Sequence, residues 1–116
     1  MIDRQVLDEL DTLNIAGQPA LAAQLVHMFL DQTPSKIAKL ETLVTLGLMK
    51  NIEIEAHTLK SSSAYMGALT LSQIFKLMES YAKKNKQESL GKILIHLATE
   101  YDKVRTELLS IVEGTS

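Results

Sequence analysis

The chain has no cysteine and no tryptophan, only two prolines and five glycines, and aromatic residues fill 4% of its 116 positions. Without cysteine there is no disulfide, no thiolate metal site and no thiol nucleophile, which fits a reducing compartment. No segment rich in Val, Ile and Thr alternates as a strand would. No apolar run approaches the ~18 residues that a membrane-spanning helix requires. Met1-Ile2-Asp3-Arg4 lacks the apolar region of a signal peptide, so a cytoplasmic domain without a membrane partner is expected. The net charge is −2 with both signs spread along the chain, which argues against a nucleic-acid-binding face.

Several chemistries are missing as well. There is no Gly-rich phosphate loop for ATP and no Gly-x-Ser-x-Gly turn for a hydrolase. No Glu-x-x-His motif occurs, so a di-iron or di-manganese bundle is excluded. Glu53 and His57 stand four apart, but one such pair is weak evidence for a metal.

What remains is aliphatic, charged and periodic. The length fits one domain, residues 1–116, with a core of its own. Asp3 caps an expected short first helix with Val6, Leu7, Leu10 and Leu13 on one face. Pro19 suits the first turn of a second helix running to about Leu46, with an apolar stripe of Leu21, Leu25, Met28, Phe29, Ile37, Leu40, Leu43 and Val44. Pro34 interrupts it; one bent helix is expected, and two helices broken at Thr33-Pro34 are the alternative. Gly47 terminates this element. A third helix runs to about Ala68. Thr70-Leu71-Ser72-Gln73 matches a capping box for a fourth, whose inward face is Leu71, Ile74, Leu77, Met78 and Tyr81. Asn85, after a lysine-rich turn, caps the last helix. That helix carries Leu90, Ile93, Leu94, Leu97, Tyr101, Val104, Leu108 and Ile111 to about Val112, followed by a frayed tail. The expected fold is all-α: an antiparallel up-and-down four-helix bundle with a short extra N-terminal helix.

The chemistry concentrates in the third helix. At 100° per residue, with His57 at zero, Lys60 lies at roughly −60°, Ser61 at about +40°, Ala64 at about −20°, Gly67 at about −80° and Ala68 at about +20°. One face thus carries an imidazole, an ammonium and a strip of the smallest side chains, open to another protein. Ile52, Ala56, Leu59, Ser63 and Met66 form the opposite, core-facing stripe. A neutral imidazole is a nucleophile, and a cation three residues on offsets the charge of a phosphoryl group that it carries. Taken singly, Lys60 reads equally well as a solvated lysine, the serines as helix surface and Gly67 as a terminator. Their coincidence on one face favours a site. His27 and His96 lie in apolar runs and read as structural.

Ala56-His57-Thr58-Leu59-Lys60-Ser61-Ser62-Ser63-Ala64-Tyr65-Met66-Gly67-Ala68 resembles the signature of histidine phosphotransfer (HPt) domains, Ala-His-x-Leu-Lys-Gly-Ser-Ser-x-x-x-Gly-Ala. The resemblance extends to Phe29-Leu30-Asp31-Gln32-Thr33-Pro34 in the second helix and Leu77-Met78-Glu79 in the fourth. It implies a phosphorelay intermediate without autokinase activity, phosphorylated on the outer ring nitrogen of His57, with Lys60 beside the phosphate. It also implies that Glu79 orients the ring through its inner nitrogen, and that receiver domains dock over Ser61, Ala64, Gly67 and Ala68. The implied partners are response-regulator receivers and a hybrid sensor histidine kinase. The chain would need no cofactor of its own, because Mg2+ belongs to the receiver, and a monomer is expected. Ser61 departs from the family's glycine. It is the one feature favouring the alternative, a degenerate HPt bundle that binds a receiver or kinase without carrying phosphate.

Overall fold

The computed structural model describes residues 20–114, and side chains for residues 23–112. Four helices follow in order: α1 (Ala20–Leu46), α2 (Met49–Tyr65), α3 (Leu69–Lys83) and α4 (Gln87–Gly114). Each packs on the next, and α4 returns to α1, so the four close a ring around one core. The short connections force neighbouring helices antiparallel. The N-terminal helix expected around Val6, Leu7, Leu10 and Leu13 lies outside the described residues, as do the roles given to Pro19 and Leu21.

All three turns end the preceding helix in the same way. Gly47, Gly67 and Asn85 take left-handed φ values of 68°, 75° and 56°. In each case the N–H of the turn residue and that of its successor reach back to the last turn. At the first turn these bonds are Gly47 N–H to Val44 O (3.0 Å) and Leu48 N–H to Leu43 O (3.1 Å). At the second they are Gly67 to Ala64 and Ala68 to Ser63, both 2.9 Å; at the third, Asn85 to Ala82 (3.1 Å) and Lys86 to Tyr81 (2.9 Å). This doubly bonded C-terminus satisfies carbonyls that a helix end otherwise leaves bare. Asn85 therefore closes α3 and does not cap α4. Gly67 closes α2 after Tyr65, three residues before the expected end near Ala68.

Pro34 lies within α1, which runs unbroken past it. Proline has no N–H for the carbonyl four residues back, that of Leu30. Tyr101 of α4 donates its hydroxyl to that oxygen at 3.4 Å, so the missing helix bond is replaced from a neighbouring helix.

The core stripes of α2 and α4 follow the periodicity. Ile52, Ala56, Leu59, Ser63 and Met66 are all buried. So are Leu90, Ile93, Leu97, Val104 and Leu108, with Leu94, Tyr101 and Ile111 packed against them. On α1, Met28 is exposed whereas Val26 and Thr33 are buried. The face of α3 differs more. Leu71, Phe75, Met78, Glu79 and Ala82 are buried, Leu77 is exposed, and Ile74 and Tyr81 are only partly covered. Burial of Leu71, Phe75 and Met78 contributes about 1.5–3 kcal/mol each, which outweighs the cost of turning Glu79 inward. The capping box at Thr70 does not form either. Helix α3 begins at Leu69 with Ala68 as its N-cap and no side-chain cap bond.

Candidate functional site

The buried stripe of α2 seats the helix so that position 57 faces outward, and the His57 side chain is 61% exposed. Glu79 approaches from α3 at the seam between the two helices, its side chain only 12% exposed. Its Oε2 lies 2.9 Å from Nδ1 of His57. Its Oε1 accepts a hydrogen bond from Nζ of Lys60 at 2.8 Å. Nζ of Lys83, one turn along α3, stands 3.9 Å from Oε2. One carboxylate thus gathers an imidazole and two ammonium groups.

The Lys60 hydrogen bond is the main influence holding the Glu79 carboxyl below its ordinary 4.5; burial pushes the other way, and the His57 hydrogen bond adds to the lowering. Glu79 is therefore ionised at neutral pH. A carboxylate only accepts, so the hydrogen in the 2.9 Å bond belongs to Nδ1. That fixes the tautomer of the neutral ring, with the lone pair on Nε2.

Ser72 holds the helices in register at this level. Its Oγ donates to the carbonyl of Lys60 at 2.9 Å, tying the first turn of α3 to α2 beside the site. The residue expected as part of a cap therefore pins the two site-bearing helices together.

The small-residue strip divides. Ser61 is exposed and Ala64 half-buried, both on the His57 side. The Ser61 hydroxyl turns back to donate to the carbonyl of His57 at 3.3 Å. Gly67 and Ala68 are buried, with Ala68 fully covered. Their expected place on an open docking strip is corrected: the helix ends before them, and Gly67's left-handed turn carries the chain inward to α3. Two other side chains stand open on this face of α2. Ile54 and Tyr65 are 58% and 55% exposed. On the helical wheel they fall at roughly +60° and +80° from His57, beside Ser61, so apolar residues on an otherwise polar face were the available signal. An open groove of about 430 Å3 continues this surface, between Leu25, Phe29 and Lys36 of α1 and Ser61, Ser62 and Tyr65 of α2.

His27 and His96 are exposed, not embedded in the core, and neither shares the Glu79 carboxylate. Among the described residues no three His, Asp or Glu side chains converge as metal ligands. No described helix is long and apolar enough to cross a membrane.

No curated protein matches the chain at a significant level. Among solved structures, the fold is similar to the crystal structure of histidine-containing phosphotransfer protein B (HptB) from Pseudomonas aeruginosa PAO1. The TM-score is 0.86 at 20% identity, covering 97% of this chain and 94% of that one. The Hpt domain family model matches residues 24–107, a stretch that contains His57, Lys60 and Glu79. With most of its length matched and a histidine presented from the middle of a four-helix bundle, the chain belongs to the Hpt domain family, whose role is histidine phosphotransfer in phosphorelays.

Proposed function

We propose that His57 is the phosphoryl carrier of this domain, receiving the group from a receiver's phospho-aspartate and passing it to the aspartate of another receiver. One observation carries the reading: the exposed ring is held through Nδ1 by an ionised carboxylate, which leaves the Nε2 lone pair for the outside. In the forward step Nε2 attacks phosphorus, an N–P bond forms and the acyl P–O bond breaks. The receiver's aspartate leaves as a carboxylate. The proton on Nδ1 stays against Glu79, which stabilises the positive charge that the ring gains. Lys60, 28% exposed and one turn from His57, then has a second anion to serve, and its ammonium offsets the phosphoryl charge. The receiver's Mg2+ supplies charge neutralisation at its own aspartate. Alignment supplies much of the rest.

The docking surface that supports this exchange is the α1–α2 side of His57, with Ile54, Ser61 and Tyr65 at its centre and the groove beside Lys36 at its edge. Apolar contact around a single reactive group fits a transient partner that must exclude water and then leave.

A small phosphoryl donor tests the carrier without a partner. The protein is incubated with phosphoramidate, weighed intact, and its modified residue mapped in alkali, where phosphohistidine survives. One acid-labile phosphoryl on His57, absent from His57→Gln, is expected. Equal labelling of His27, His57 and His96 would remove the special status of His57. No label here and none from a phosphorylated receiver would leave a receiver-binding bundle that carries no phosphate.

A further inference from the structure

The Glu79 carboxylate is served unequally in the unphosphorylated protein. Lys60 takes Oε1 at 2.8 Å, His57 takes Oε2 at 2.9 Å, and Lys83 waits 3.9 Å from Oε2 with its side chain 57% exposed. Resting on the carrier role of His57, we propose that Lys83 is a positioning residue that replaces Lys60 as the counter-ion of Glu79 when His57 is phosphorylated.

Phosphorylation changes the charge balance around this buried carboxylate. With a phosphoryl dianion on Nε2, the Lys60 ammonium is drawn from a monoanion to a dianion. Glu79 then loses its shortest charged bond while its side chain is only 12% exposed. Its partner at hydrogen-bond distance is then the phosphorylated ring alone, whose positive charge is offset by the dianion bonded to it, and a carboxylate so weakly neutralised is penalised by its poor access to water. It would either take up a proton, releasing Nδ1 and the ring orientation, or recruit another cation. Among the described residues Lys83 is the remaining ammonium within 4 Å of it. Lys83 follows Glu79 by four residues on α3, the acid-before-base order that suits a helical pair, and it occupies the last position of the helix, where the dipole favours a cation. A displacement of about 1 Å brings it to hydrogen-bond distance. Glu79 is therefore kept ionised by Lys60 in the free carrier and by Lys83 in the phosphorylated one, and the ring keeps its orientation through a cycle in which Lys60 changes partner.

The test compares wild type, Lys83→Met and Lys83→Arg, each also in a Glu79→Gln background. The readout is the fraction of His57 phosphorylated at a fixed ratio of phosphoramidate to ammonia, approached from both directions. In this exchange Nε2 bonds to phosphorus as the phosphoramidate P–N bond breaks and ammonia leaves. Lys83→Met is expected to lower the equilibrium constant by about three- to fivefold, the scale of one partly exposed ion pair. Lys83→Arg restores it, and the effect of Lys83→Met disappears in the Glu79→Gln background, as a double-mutant cycle requires when one residue acts through the other. Nitrogen-15 shifts of the His57 ring supply a second readout. The Nδ1–H signal should weaken in phosphorylated Lys83→Met and stay unchanged in its unphosphorylated form. An equal loss in the Glu79→Gln background would mean that Lys83 acts on the phosphate at long range, and an unchanged constant would mean that it does nothing; either overturns the proposal. If wild type itself takes no phosphoryl on His57, the carrier reading fails first, and Lys83 has no role of this kind.

Discussion

Glu79→Gln should destabilise the domain by about 1–2 kcal/mol at pH 7. Two charge-assisted hydrogen bonds end on this carboxylate, at 2.8 and 2.9 Å. Such bonds are worth about 1.5–3 kcal/mol each when fully desolvated. Both donors keep water within reach, with His57 61% and Lys60 28% exposed, so solvent recovers much of what is lost. Glutamine preserves the shape and one acceptor oxygen but removes the charge. The pH dependence gives the sign. The folded carboxyl is held below 4.5, chiefly by Lys60, so its contribution is full above the unfolded value and fades as pH falls through the folded one. Urea denaturation at pH 7 and at successive steps down to pH 3 measures this directly. The midpoint of wild type should exceed that of Glu79→Gln at pH 7, and the two should converge below about pH 4.5. A gap that stays constant down to pH 3, or no gap at pH 7, would refute the claim that an ionised Glu79 joins α2 to α3. The same variant should keep some labelling of His57, because its amide oxygen still accepts from Nδ1. Glu79→Leu, which cannot accept, should lose most of it.

Other regions yield sharper tests of stability. Ser63 is fully buried and its Oγ finds no hydrogen-bond partner among the described residues, so Ser63→Ala should raise stability by about 1 kcal/mol, the cost of an unmet buried hydroxyl; a loss in thermal unfolding would show that the hydroxyl is satisfied. Tyr101→Phe removes the donor that serves the Leu30 carbonyl above Pro34 and should cost about 0.5–1 kcal/mol. In a Pro34→Ala background, where the helix supplies its own N–H, that cost should shrink, and equal costs in both backgrounds would dismiss the compensation. Gly67→Ala forces a Cβ into a backbone with φ of 75° and should destabilise by about 1–2 kcal/mol. Chemical denaturation at neutral pH would expose an error, since an unchanged midpoint is incompatible with a left-handed position 67.

Much of the site was legible because helices are local. The wheel that puts Ile52, Ala56, Leu59, Ser63 and Met66 inside necessarily turns His57 out, and these positions depend only on a 3.6-residue repeat. Gly47 could be recognised as a stop for a similar reason, since few other residues accept a left-handed backbone. Glu79 was different: only the family resemblance pointed to it. Within its own helix it is the one acid, between Met78 and Ser80, and nothing local shows that it meets His57 22 residues away.

Two further readings failed at the boundary between local and tertiary structure. Thr70 and Asn85 have good capping side chains, yet the left-handed turns at Gly67 and Asn85 itself had already set where α2 and α3 stop, and α3 starts at Leu69 without a side-chain cap. Gly67 and Ala68 share the His57 face only on a wheel extended past Tyr65; once the chain turns, they lie beneath it. The amino-acid sequence by itself determined which residues are helical and which stripe of α2 and α4 is apolar, because both follow from backbone hydrogen bonding and side-chain period within a few residues. Only the tertiary structure decided how far α3 is rotated, and with it that Glu79 is inward, that Leu77 is outward and that His57, Lys60 and Lys83 share one carboxylate. That rotation is set by packing Phe75 and Met78 into the core that α3 shares with α2 and α4, a condition no single helix contains.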